Sequence, residues 1–137
     1  MKLLDTSVLV DIDRGGVDCR VEKLDDEGRH AISIVSVTEL YLGVNKRYGI
    51  ESDDHRDAAE DLERLLSRFA VVPIDRSAAI AAAEIIAELQ DRGESLHDLH
   101  DVYIGATART ERLTVLTANV DHFERIDDVQ VVDWNAF

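Results

Sequence analysis

An α/β fold with a mainly parallel sheet is what this chain predicts, and three observations lead there. Short apolar, β-branched runs alternate along the sequence with segments whose apolar residues repeat at helical spacing. The first such run, Lys2-Leu3-Leu4, ends in Asp5 and passes at once into Thr6 and Ser7, good residues for opening a helix. At 137 residues and 45% hydrophobic content, the chain has the size of one domain and enough apolar side chains to bury a core, so a single domain over 1–137 is expected.

The elements follow in order. After the first strand, Ser7 to about Asp13 reads as a short helix ended by Gly15 and Gly16, and Val21 to Glu27 as another turn or two of helix. HAISIV, residues 30 to 35, reads as a second buried strand. Ser36-Val37-Thr38-Glu39 then fits a capping box, opening a helix with apolar positions Val37, Leu40, Tyr41 and Val44. Residues 51 to 57 are polar and acidic, a loop or a fraying helix start; Leu62, Leu65, Leu66 and Phe69 continue on one helical face. Ala70 to Asp75 is a third strand, with Pro73 weakening its pairing near the end. Ser77 opens an alanine-rich helix, Ile80 to Arg92, stopped at Gly93. Ser95 with Asp98 fits a second capping box, and Val102, Ile104, Gly105 and Ala108 give apolar and small positions for close packing. Residues 114 to 117 form a fourth strand, Ala118 to Arg125 a turn and short helix, and Val129 to Val132 a fifth strand.

Composition narrows the function. The single Cys19 excludes an internal disulfide and a metal-thiolate cluster, which suits a reducing cytoplasm. Nowhere do about 18 apolar residues run together, and the N-terminal run is broken by Asp5 and Asp11, so neither a membrane span nor a secretion signal is expected. The net charge of −14 opposes the basic footprint usual in nucleic-acid binding. Only three of the 15 basic residues are Lys and acids occur in every segment, a composition suited to a halophilic protein. In roughly 1 M salt the Debye length is about 3 Å, so diffuse repulsion from phosphate is screened.

Three acids occupy corresponding places. Asp5 ends the first strand, where the ligand crevice of an open α/β sheet lies. Glu39 lies in the first turn of the helix after the second strand, and Asp101 in the first turns of the helix before the fourth. Each also has a structural explanation, as a cap, as a capping-box member or as a charge at a helix N-terminus. Jointly those explanations are weaker, because Asp101 comes at least a turn after the capping pair and is flanked by Val102 and, two residues earlier, Leu99.

MKLLDTSVLVD at 1–11, SVTELYLG at 36–43, DVYIGATA at 101–108 and LTANVDHF at 116–123, with the closing VVDW at 131–134, together resemble a PIN-domain ribonuclease of the VapC toxin type. The resemblance spans nearly the whole chain in the family's order and spacing. It implies a three-layer α/β/α sandwich on a mainly parallel, five-stranded sheet, and an acid cluster holding Mg²⁺ or Mn²⁺ for endonucleolytic cleavage of RNA. By position, Asp5, Glu39 and Asp101 match the family's metal-binding acids, Thr6 or Ser7 its hydroxyl neighbours, and Thr117 a supporting residue. Where PIN nucleases often carry a fourth acid this chain has Asn119, and Asp121 two residues on is the other candidate to complete the site. Asp98 is read first as a cap and second as a supporting acid. The partners implied are RNA, a cognate antitoxin covering the acidic site, and a second copy of the chain in a homodimer.

Elementary electrostatics asks for a cation independently. Three carboxylates about 5 Å apart at an effective dielectric near 20 repel by roughly 3 kcal/mol per pair and about 10 kcal/mol together. That rivals the stability of a domain of this size, so the cluster must take up protons or bind a divalent ion. All-oxygen ligands favour Mg²⁺ or Mn²⁺ over zinc. A zinc site built from histidines is disfavoured, since His97 falls in the capping box and His122 precedes Phe123 in what reads as an ordinary turn. Two rivals remain: a PIN-like nuclease of RNA maturation, and a non-catalytic binding module whose acids are caps and solvated surface. An aspartyl phosphatase fits worse, since no second Asp stands two residues beyond Asp5.

Overall fold

A computed structural model describes residues 1–94 and 98–137. Five parallel strands, β1 (Lys2–Leu4), β2 (Ala31–Ser33), β3 (Ala70–Val72), β4 (Thr114–Thr117) and β5 (Val131–Asp133), form one sheet in the order β3-β2-β1-β4-β5. Seven α-helices are described: α1 (Thr6–Arg14), α2 (Asp18–Asp26), α3 (Ile34–Arg47), α4 (Asp53–Leu66), α5 (Arg76–Asp91), α6 (Leu99–Glu111) and α7 (Val120–Glu124).

Strand alternation makes the layers. Leu3 is in register with Ala31 and Val115, and all three pack on one face with Ile85 and Leu89 of α5, Val102, Ile104 and Ala106 of α6, and Phe123 of α7. Leu4 is in register with Ile32 and Leu116, which face the other way onto Val8 and Leu9 of α1, Leu24 of α2, Leu62, Leu65 and Leu66 of α4, and Trp134. A sheet buried on both faces is the parallel, three-layer solution expected for βα-alternating chains. At Gly105 a Cβ would stand 2.6 Å from Cδ1 of Ile126, so a residue without one lets α6 approach the segment after α7 closely.

The strand order fixes where a ligand belongs. From β1 the chain fills one side of the sheet with β2 and β3, then returns to the other side for β4 and β5. The switch lies between β1 and β4, whose carboxyl ends open onto a common crevice.

Several boundaries differ from the sequence reading. The second strand stops at Ser33, whose side chain accepts a hydrogen bond from the Val35 amide, so the cap of α3 lies three residues before the expected one at Ser36. Ser36 is then inside the helix and fully buried, and Glu39 is its sixth residue, too far along to serve a cap. Asp53 to Asp57 belong to α4, capped by Ser52, and α5 is capped by Asp75, one turn earlier than its alanine run suggests. The third strand ends at Val72, before Pro73, and lies at the sheet edge, while the fifth starts two residues and ends one residue later than expected. α2 starts at Asp18. Ser95 and His97 lie outside the described residues.

Candidate active site

Among the described residues, seven side chains capable of capping occupy helix N-cap positions, and they divide into two groups. Ser33, Ser52, Asp75 and Asp133 each accept a hydrogen bond from an amide of the helix they precede. Asp5 before α1, Asp98 before α6 and Asn119 before α7 do not, although Asp and Asn are among the best capping residues. The three that do not cap line one cleft. It measures about 220 Å³ and is bounded also by Thr6, Ser7, Glu39, His100, Asp101 and His122. A space of that size suits a hydrated ion and a phosphate rather than a drug-sized molecule, whose pockets run from about 300 Å³ upward. The expected capping role of Asp98 is therefore corrected: its backbone holds the N-cap position and its exposed carboxylate faces the cleft.

Hydroxyl groups hold the acids in place. Asp5, only 3% exposed, accepts through Oδ2 from Ser7 Oγ at 2.8 Å and Thr117 Oγ1 at 2.9 Å. Both hydroxyls accept in turn from the turn that follows β4, Ser7 from the Ala118 amide at 3.1 Å and Thr117 from the Asn119 amide at 2.9 Å. Two relays thus tie the carboxylate at the end of β1 to the end of β4. Oδ1 of Asp5 has no hydrogen-bond partner among the described residues, which leaves a buried carboxylate presenting a free oxygen where it lines the cleft. Glu39 Oε1 lies 2.9 Å from Thr6 Oγ1, which is also 2.9 Å from Ser36 Oγ. One hydroxyl carries one proton, so Thr6 donates to the ionised Glu39 and accepts from Ser36.

The field in the cleft is negative. Burial raises the pKa of Glu39 above the ordinary carboxylate value; the hydrogen bond from Thr6 and the charge of His100 oppose the shift, and Asp5 and Asp101 add to it. Asp101, 9% exposed, is raised by burial and then by Asp5, while a hydrogen bond from His122 pulls it back. Two carboxyls that hold their protons more tightly than normal, beside a third with a free oxygen, make a hard-oxygen donor set short of positive charge. Such a set fits Mg²⁺ or Mn²⁺.

Of the residues expected at the site, Asp5, Thr6, Ser7, Glu39, Asp98, Asp101 and Asn119 line the cleft and Thr117 supports it from beneath. Asp121 is exposed in the first turn of α7 and does not line it. His122, read as part of an ordinary turn, is instead a site residue: its Nδ1 lies 2.7 Å from Oδ2 of Asp101. His100 also reaches the rim, with Nδ1 4.0 Å from Oε2 of Glu39. The only sequence signal for His122 was its place three residues after Asn119, one turn of α7 away. Among the described residues, no helix is long and apolar enough to cross a membrane.

Known proteins resemble this chain in sequence and fold. The family model described as PIN domain matches residues 2–129. Ribonuclease VapC1 of Methanocaldococcus jannaschii is 30% identical over 126 residues, covering 92% of this chain and 81% of the relative. The tRNA(fMet)-specific endonuclease VapC of Salmonella typhimurium is 34% identical over 106 residues, covering 77% of this chain and 76% of the relative. Among solved structures, DNA-bound VapBC from Salmonella typhimurium superposes with a TM-score of 0.84 at 27% identity, covering 98% of this chain and 99% of the matched one. The sheet order, the acids at the β1/β4 switch and these matches agree: the chain belongs to the PIN-domain family, among the VapC ribonucleases.

Proposed function

We propose that this chain is a divalent-metal-dependent endoribonuclease acting as the toxin of a toxin–antitoxin pair, with Asp5, Glu39 and Asp101 as its metal-holding acids. The observation that carries the reading is the withholding of Asp5, Asp98 and Asn119 from the caps their positions offer, all three lining the cleft that holds Glu39 and Asp101. A binding module whose acids were merely caps would use them as caps.

Asp5, Glu39 and Asp101 would hold Mg²⁺ or Mn²⁺, with Asn119 offering a neutral side-chain oxygen where Asp121 does not reach. A divalent ion in such a site supplies a polarised phosphate and a water activated near neutral pH. The protein's own part is orientation. Ser7 and Thr117 fix one oxygen of Asp5 and leave the other free, and Thr6 fixes one oxygen of Glu39. Asp101 is held between the field of the other acids and the His122 imidazole. This constellation needs no Ser-His-Asp nucleophile, since the attacking group is water.

Two of the relatives are named for ribonuclease or tRNA cleavage, and a structural neighbour from Mycobacterium tuberculosis is described as a member of the VapBC family of toxin-antitoxin systems. For this chain we therefore propose an RNA substrate, a cognate antitoxin that covers the cleft, a homodimer, a cytoplasmic site of action, and one nuclease domain over residues 1–137. The dense acidic surface is read as adaptation to high salt.

The test is cleavage of total RNA by purified protein with Mg²⁺ or Mn²⁺, read by sequencing the new 5′ ends. Discrete cuts that vanish with chelator and in Asp5→Asn are expected. Cutting that persists in both would overturn the proposal.

A further inference from the structure

The proposed acids are all oxygen donors, yet one nitrogen stands among them. Asp98, Asp101 and His122 each offer a ligand atom, and these atoms lie within 4.8 Å of one another. Asp98 and Asp101 are one turn apart at the start of α6, and His122 comes from α7 across the β1/β4 switch, so two helices close on the same point. The side chain of Asp98 makes no cap, and 46% of the His122 side chain is exposed, leaving it room to turn. Asp5 adds an independent sign of a cation: it is buried and lines the same cleft with an oxygen that has no partner among the described residues.

The place of the ring beside Asp101 decides which nitrogen can serve. Nδ1 lies 2.7 Å from Oδ2 of Asp101, a separation that two neighbouring ligands of one ion can have, and its lone pair is open to a cation in the tautomer that carries the proton on Nε2. His100 is the rival nitrogen, but among the described residues it approaches Glu39, at 4.0 Å, and is not one of the three converging groups.

We propose that His122, with Asp98 and Asp101, supplies a nitrogen ligand at the cation site and makes the cleft select Mn²⁺ over Mg²⁺. The proposal rests on the reading of the cleft as a divalent-cation site and adds the ligand that sets its selectivity. Mg²⁺ is the harder ion and takes oxygen almost exclusively, whereas affinity for mixed nitrogen and oxygen sites rises along the first transition row. Where a fourth carboxylate would leave the set all-oxygen, an imidazole shifts it toward Mn²⁺ and removes one negative charge from the repulsive cluster.

The experiment uses the full chain freed of metal, with substoichiometric Mn²⁺, and electron spin-echo envelope modulation of the bound ion. The wild-type protein should show the modulation of a directly bonded ¹⁴N. His122→Asp should keep Mn²⁺ bound and lose that signal, and the ratio of Mn²⁺ to Mg²⁺ affinity from calorimetry should fall about tenfold or more. His122→Gln serves as a second variant should the added charge unfold the chain, and His100→Gln should leave the nitrogen signal intact. Bound Mn²⁺ without nitrogen coupling in the wild type overturns this inference and leaves the proposed nuclease standing, as does coupling that survives in His122→Asp and His122→Gln or disappears in His100→Gln. A wild-type protein that binds no Mn²⁺ overturns the cation site itself, and the inference with it.

Discussion

Replacing Asp101 by Asn removes one charge from the cleft while keeping the shape of the side chain, and it separates catalysis from architecture. Asp101 is 9% exposed, and its proton affinity is raised by burial and by Asp5, so its ionised form is disfavoured in the absence of a cation. Relief of its repulsion with Asp5 and Glu39 is worth at most about 6 kcal/mol, taking roughly 3 kcal/mol for each pair at about 5 Å and a dielectric near 20. Against this stand the charge-assisted bond to His122, about 3 kcal/mol, and the favourable charge at the start of α6, up to about 1 kcal/mol. The balance is a gain of about 2 kcal/mol in chelator, a rise in melting temperature of about 8 °C at roughly 4 °C per kcal/mol. The gain has a pH signature. An acid whose folded pKa is raised carries its penalty at neutral pH and sheds it as pH falls through the raised value toward the ordinary one, because protonation then stabilises the fold. The difference between variant and wild type should therefore be largest near pH 7 and shrink to nothing below the ordinary carboxylate range. Cleavage of RNA with Mg²⁺ or Mn²⁺ should fall by orders of magnitude. Melts in chelator from pH 3.5 to 7.5 and an RNA cleavage assay check both halves. A variant that melts lower at neutral pH yet still cleaves would refute the reasoning and make Asp101 a structural acid.

Thr117→Val removes a buried hydroxyl that donates to Asp5 and accepts from the Asn119 amide, so it should cost about 1 to 3 kcal/mol in denaturant unfolding and weaken Mn²⁺ binding by calorimetry. Unchanged values for both would mean that the relay does not hold the carboxylate. Melting temperature should climb steadily from about 0.1 M to about 2 M KCl as the net charge of −14 is screened. A flat or falling midpoint would remove the case for a halophilic surface.

The layer architecture and the place of the central acid are legible in local sequence. Continuous apolar runs such as Leu3-Leu4 and Ala31-Ile32 are short-range signals, and strands alternating with helices leave the parallel three-layer sheet as the economical solution. Asp5 was legible because a strand end followed by helix-opening residues is written in adjacent letters. The start of α3 was not, because Ser33 and Ser36 are both good caps three residues apart. What chose Ser33 was the burial of Ser36 against Thr6, a contact 30 residues distant in sequence. The same limit hid the roles of Asp98, Asn119 and His122. Local sequence says that Asp98 and Asn119 can cap and that His122 sits in a short helix. Only the packing of α6 and α7 around the β1/β4 switch turns those side chains onto one cleft. Tertiary structure decides it, because the acids that Asp98, Asn119 and His122 meet in the cleft, Asp5 and Asp101, stand 96 positions apart in the chain.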